Sequence, residues 1–259
     1  MPETTAVRTH AYGSSPEQVA DLRVPDGAPP AAGWPVVVLV HGGFWRDQYR
    51  RDLMVPLAED LARRGVATWN VEYRRVGPTG GGVPATLADV AAAVDELAVV
   101  AGDGPLDLDR VAVVGHSAGG HLALWIVGRT VLPDGVVGAA PQVVPCAAVA
   151  QAAVASLAAG GALGDGAVAD FVGGTPDEVP DRYALADPVG LVGHGVPVLL
   201  VHGEEDDTVP IDQAERYVAA ASAAGDPVRL ERLPGDHMAV IDPEGALWAS
   251  AVAFVEERC

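Results

Sequence analysis

The chain has 259 residues, 49% of them hydrophobic, and a net charge of −19. That length suits one large core, and the acidic balance excludes nucleic acid and anionic membranes, which require basic patches. Every basic side chain is arginine, so the absence of lysine excludes Schiff-base catalysis, Ser–Lys hydrolysis and a phosphate-loop lysine together.

No segment reaches the apolar length that spans a bilayer, and the polar start MPETTAVRTHAYGSSPEQ lacks the apolar centre of a secretion signal. A cytoplasmic location is the expectation. Cys146, in an apolar stretch, and Cys259, the last residue, read as free thiols.

In chain order, QVADLRVP (18–25) reads as an antiparallel edge strand and PVVVLV (35–40) as a buried strand. DLMVPLAEDLARRG (52–65) follows as a helix with Gly65 as its C-cap, then VATWNVEY (66–73) as a strand and PATLADVAAAVDELAVVA (84–101) as a helix. VAVVG (111–115) runs into the helix GGHLALWIVGRTVL (119–132), and VVPCAAVA (143–150) is the next strand. PVLLVHG (197–203), IDQAERYVAAASAAG (211–225), VRLERLPG (228–235) and EGALWASAVAFVEER (244–258) continue as strand, helix, strand and helix. Such alternation predicts a single α/β domain over 1–259, a mostly parallel sheet with helices on both faces. The stretch from about 151 to 190 interrupts it with glycine pairs and prolines. It reads as a short excursion over one end of the sheet, either a lid or a decorated connection.

The chemistry concentrates in VAVVGHSAGGHLALW (111–125), where Gly115-His116-Ser117-Ala118-Gly119 lies between a strand and a helix. G-x-S-x-G in that setting is a nucleophile elbow: the glycines let strand and helix approach, and the serine is forced onto a strained, exposed turn. Ser117 then needs a base. His116 and His121 are five residues apart on different helical faces, which argues against a metal pair. His41 and His202 end strands before glycines and read as loop ties, while His10 and His194 sit in the N-terminus and a glycine-rich connection. His237, in LPGDHMAVIDP after the final strand, has the chain position of a base. The carboxylate that orients it is expected in HGEEDDTVP, as Asp206 with Asp207 as second candidate; Asp236 is too near His237 along the chain.

PVVVLVHGGFW (35–45) ends a buried strand in two glycines. Glycines let backbone N–H groups approach a developing oxyanion, so Gly43 and Phe44 are candidate donors, joined by Ala118 after the nucleophile. Phe44 and Trp45 stand at the pocket edge, with buried packing an equal account of Trp45, and Met238 beside the base is a second substrate contact.

Together these residues resemble the α/β-hydrolase superfamily over nearly the whole chain. His41-Gly42-Gly43-Phe44-Trp45 resembles the H-G-G-x-W oxyanion motif of kynurenine formamidases (arylformamidases), and Tyr12-Gly13 and DHMAVIDP are similar to that group. Met238 departs from it, since those enzymes often carry phenylalanine there. Many bacterial esterases share the same motifs. The resemblance implies hydrolysis of a small-molecule aryl formamide or ester with no metal or organic cofactor. A carboxylesterase, and an acyltransferase that passes the acyl group to another acceptor, are the alternatives. A non-catalytic binding protein is disfavoured by the intact Ser117, Asp206 and His237. A prolyl-peptidase role is set aside because it usually needs a large gating domain. Arg46, Arg74 and Arg75 read either as substrate-carboxylate anchors or as ion-paired surface residues.

Overall fold

Alternate residues of the run 35–40 face opposite sides, Val36, Val38 and Val40 into one core and Val37 and Leu39 into another. A strand buried on both faces belongs inside a parallel sheet covered on each side by helices. That is its place in the computed structural model, which describes residues 7–102 and 105–259. The first six residues of the polar N-terminal stretch lie outside the described residues.

Among the described residues the strands are β1 (Val7–Ala11), β2 (Val19–Arg23), β3 (Trp34–Val40), β4 (Ala67–Val71), β5 (Leu106–His116), β6 (Ala147–Gln151), β7 (Val198–Gly203) and β8 (Val228–Leu233). They form one sheet in the order β1-β2-β4-β3-β5-β6-β7-β8. β1 and β2 make an antiparallel edge against β4, and every pair from β4 through β8 is parallel. The sequence-predicted runs therefore appear as strands, with shifted ends. β6 begins only at Ala147, because Pro145 just before it has no N–H to add to a ladder.

The helices are α1 (Val55–Arg63), α2 (Ala85–Asp95), α3 (Leu97–Val100), α4 (Ala118–Gly128), α5 (Ala167–Val172), α6 (Pro180–Ala186), α7 (Asp212–Ala224) and α8 (Ala246–Arg258). α1 and α8 cover one face, with Leu57, Leu61, Trp248 and Phe254 packed on Val37 and Leu39. α2, α4 and α7 cover the other through Leu87, Leu122 and Tyr217. Every residue of α4 is buried, since the segment after β6 lies over it; this explains a helix with no polar face. The excursion carries α5 and α6, and its Leu157, Val168, Phe171 and Ala186 join the large core.

One expectation is overturned. Cys146 and Cys259 are not free thiols but a disulfide, with Cα atoms 6.3 Å apart across a separation of 113 residues. Linear distance concealed the pairing. α8 returns the last residue to the strand-entry end of the sheet, where Cys146 precedes β6 and donates its N–H to the Val111 carbonyl. The support that free thiols lent to a cytoplasmic location falls with it.

Candidate active site

β5 delivers Ser117 to the end of the sheet at which parallel strands meet their following helices. Its backbone has φ 56° and ψ −116°, a conformation that costs a non-glycine residue on the order of 1–3 kcal/mol. The neighbouring glycines show why it is held there. A Cβ on Gly115 would stand 2.0 Å from the Gly119 carbonyl oxygen, and one on Gly119 would stand 2.1 Å from that of Val40. Strand and helix thus touch backbone to backbone, and no side chain fits between them. The Ser117 N–H donates to Gln151 of β6 at 2.7 Å, which fixes the turn to the neighbouring strand.

His237 follows β8 and comes back over the same sheet end. Its Nδ1 lies 2.8 Å from Asp206 Oδ2, and Asp206 Oδ1 accepts from the N–H groups of Thr208 and Val209, both at 2.9 Å. Burial alone would raise this carboxyl. The hydrogen bonds from His237 and the two amides outweigh burial and hold it below its ordinary value. An ionised carboxylate only accepts, so His237 Nδ1 is the donor in this contact. Asp207, the second candidate, is exposed and among the described residues accepts only from the Thr208 hydroxyl at 3.2 Å. Asp236 accepts from the N–H groups of Met238 and Ala239 and shapes the turn that carries the imidazole.

The loop after β3 stands opposite. Gly42 lies so close to the elbow that a Cβ there would be 2.8 Å from the His116 carbonyl and 3.0 Å from Ser117 Cβ. Gly43 has φ 113°, Phe44 50° and Trp45 55°, three left-handed residues in succession. Among the described residues no protein acceptor takes the N–H of Gly43 or Phe44, and Ala118 is the first residue of α4, where N–H groups lack intrahelical partners. Below the loop, His41 Nε2 lies 3.0 Å from Glu72, which is also paired with Arg75, and the Tyr73 hydroxyl donates to the His41 carbonyl at 2.8 Å. His41 is a loop tie, as its position suggested.

Ser117 and His237 line one cleft of about 230 Å³ together with Gly43, Phe44, His116 and Met238. Among the described residues no hydrogen bond joins the serine hydroxyl to the imidazole, and such catalytic contacts often tighten only with substrate in place. Met238 is half exposed at the rim. Trp45 is corrected: it is fully buried, its ring stacked on Phe171 at 4.3 Å, so packing accounts for it and it does not line the cleft. The arginines are also engaged elsewhere, Arg74 with Asp89, Arg75 with Glu72 and Glu17, and Arg46 with the excursion.

Sequence reasoning missed three lining residues, Tyr49, Leu53 and Thr208, which carry no motif and arrive by loop geometry alone. It also passed over His116, whose Nε2 donates to the His237 carbonyl at 3.1 Å. Burial, with the neighbouring His237, pushes His116 down to about 3, so it stays neutral. Its place beside the serine was the available signal.

The model of the prolyl oligopeptidase family matches residues 83–244, from the start of α2 to the loop beyond His237. The chain belongs to the prolyl oligopeptidase family. A second model, BD-FAE, matches residues 21–133. Among this family member's relatives, an uncharacterized peptidase, YuxL, of Bacillus subtilis is 28% identical over 218 residues, 78% of this chain and 30% of that protein. Esterase LipC of Mycobacterium tuberculosis is 27% identical over 234 residues, 86% of this chain and 57% of its own. The chain thus spans about a third to just over half of the length of these relatives. The crystal structure of esterase B from Lactobacillus rhamnosis superposes with a TM-score of 0.82 at 20% identity, covering 99% of this chain and 85% of that one. The fold is that of the α/β-hydrolases, and the family is one of esterase- and peptidase-type hydrolases. The sequence reading set a prolyl-peptidase role aside for want of a gating domain; membership concerns the hydrolase region and carries over no substrate.

Proposed function

We propose that the protein hydrolyses small acyl esters through an acyl-enzyme on Ser117. The observation that carries this reading is one cleft shared by a strained serine and by an imidazole whose far nitrogen is bonded to a buried carboxylate. Ser117 Oγ attacks the acyl carbonyl as His237 Nε2 takes its proton. The amides of Gly43, Phe44 and Ala118 receive the oxyanion, and His237 returns the proton to the leaving group. Water, activated by the same imidazole, then releases the acid. Asp206 holds the ring in the required tautomer and stabilises the imidazolium. A cleft of about 230 Å³ with Phe44, Leu53 and Met238 along it favours a short apolar acyl group over a long chain.

The narrower reading is aryl formamide hydrolysis. It is favoured by His41-Gly42-Gly43-Phe44-Trp45, since formyl is the smallest acyl group and the H-G-G-x-W motif resembles that of formamidases. Against it, among the described residues Arg46, Arg74 and Arg75 are each paired with a carboxylate and so are not left to meet the carboxylate of N-formylkynurenine. Short p-nitrophenyl esters, N-formylkynurenine and an N-acetylated peptide, tested side by side, separate ester, formamide and acyl-peptide hydrolysis. We expect the esters to be turned over fastest, and Ser117→Ala to abolish both turnover and labelling by a fluorophosphonate. Labelling that survives in Ser117→Ala would sink the mechanism.

A further inference from the structure

The oxyanion loop and the excursion after β6 are joined at several points. The Trp45 ring stacks on Phe171 of α5 with planes at 13°, and His121 of α4 meets it edge-on at 5.2 Å. Arg46 Nη2 donates to the Gly164 carbonyl at 2.7 Å and lies 3.8 Å from Asp170. Gly164 packs on the Phe44 ring so closely that a Cβ there would stand 2.8 Å from it. From the other side, the Val76 N–H donates to the Trp45 carbonyl at 2.8 Å, and the Val83 N–H to that of Phe171 at 2.8 Å.

These contacts fall on Phe44, Trp45 and Arg46, two of them left-handed residues with side chains. Released from its neighbours, such a pair relaxes to negative φ, and the peptide joining Gly43 to Phe44 turns with it. Strained backbone persists only where the surroundings over-determine it. A gate would touch the cleft mouth through sparse, exposed contacts. Here Trp45 and Phe171 are 0% and 1% exposed, and neither touches the cleft.

We propose that the excursion acts as a brace rather than a gate, aiming the Gly43 and Phe44 amides, with Arg46 and Phe171 as positioning residues. This rests on those amides being the oxyanion donors of the reading above. Arg46 is partly exposed, so its replacement leaves the core intact.

The test compares Arg46→Ala, Arg46→Lys and Phe171→Leu on p-nitrophenyl acetate, on a trifluoromethyl ketone as transition-state mimic, and by hydrogen exchange of the peptide spanning 42–47. Arg46→Ala is expected to lower kcat by about 10- to 100-fold with KM changed less than about threefold. The ketone should weaken by the same factor, and Arg46→Lys should restore much of the loss. Exchange at 42–47 should quicken in Arg46→Ala and Phe171→Leu while peptides from β3 and β5 stay unchanged. Unchanged exchange at 42–47, or kcat within twofold of the parent, overturns the brace. Quickened exchange in a protein whose Ser117 takes no fluorophosphonate leaves the loop braced and overturns the hydrolase reading instead.

Discussion

Asp206 accepts from an imidazole and two amides with a side chain only 1% exposed, so its charge faces these donors rather than solvent. Asp206→Asn keeps the size but ends the requirement that Nδ1 carry the proton, because an amide also donates. The ring then populates the tautomer that offers no base to Ser117. We expect kcat on a short p-nitrophenyl ester to fall by roughly 10³- to 10⁴-fold, with KM little changed. A loss smaller than tenfold would point to another orienting group, and Asp207→Asn is the matched control. At this scale the sequence was specific about residue type and silent about Trp45. Its aromatic ring reads equally as substrate contact or core, and only the stack on Phe171 separates the two.

Among the elements, α8 depends on a clasp that no local pattern announces. The Cys146–Cys259 disulfide closes a loop of 113 residues at the strand-entry end of the sheet, away from Ser117. Cross-links of such length stabilise by about 2–5 kcal/mol, chiefly by restricting the unfolded chain. The double substitution Cys146→Ser with Cys259→Ser is therefore expected to lower the urea midpoint by a corresponding amount. Fluorophosphonate labelling at 25 °C should be untouched, since the clasp and the cleft are at opposite ends of the sheet. Equal midpoints for parent and variant, both kept oxidised, would show that the clasp adds nothing to stability. Such a disulfide persists in oxidising surroundings.

The whole molecule carries a proton-linked cost of burial. His116 and His121 are each buried, bonded through Nε2 to a backbone carbonyl, with no partner at Nδ1. Burial pushes them down to about 3 and about 4. Because the folded values lie below those of the unfolded chain, the unfolded state binds more protons as pH falls below about 6.5. Stability is thus full above that pH, declines through the interval, and levels for each group near its folded value. His116 and His121 contribute a slope of about 3 kcal/mol per pH unit between pH 6 and 4, and His41, which burial also pushes down to about 3, adds to it. His121→Gln, which still donates to the Ala186 carbonyl, should remove roughly a third of the slope that these three histidines set, while costing some stability at pH 7. Urea midpoints at pH 7, 5.5 and 4.5 measure it; parallel acid limbs for parent and variant would assign the loss to other groups.

Much of this was legible in the residues themselves. The period-two burial of β3, the apolar runs of β4 to β7 and the glycine-flanked Ser117 are local consequences of backbone chemistry, so they could be read without knowing any neighbour. The α/β-hydrolase superfamily was legible from the same local features, whereas the match to the prolyl oligopeptidase family was not anticipated. What the sequence could not decide were matters of distance between remote segments: the pairing of Cys146 with Cys259, Asp206 over Asp207, the burial of Trp45, and Tyr49, Leu53 and Thr208 along the cleft. Local propensity acts over a few residues, whereas these contacts join positions separated by tens to more than a hundred. They exist only once the sheet has set the distances among its loops.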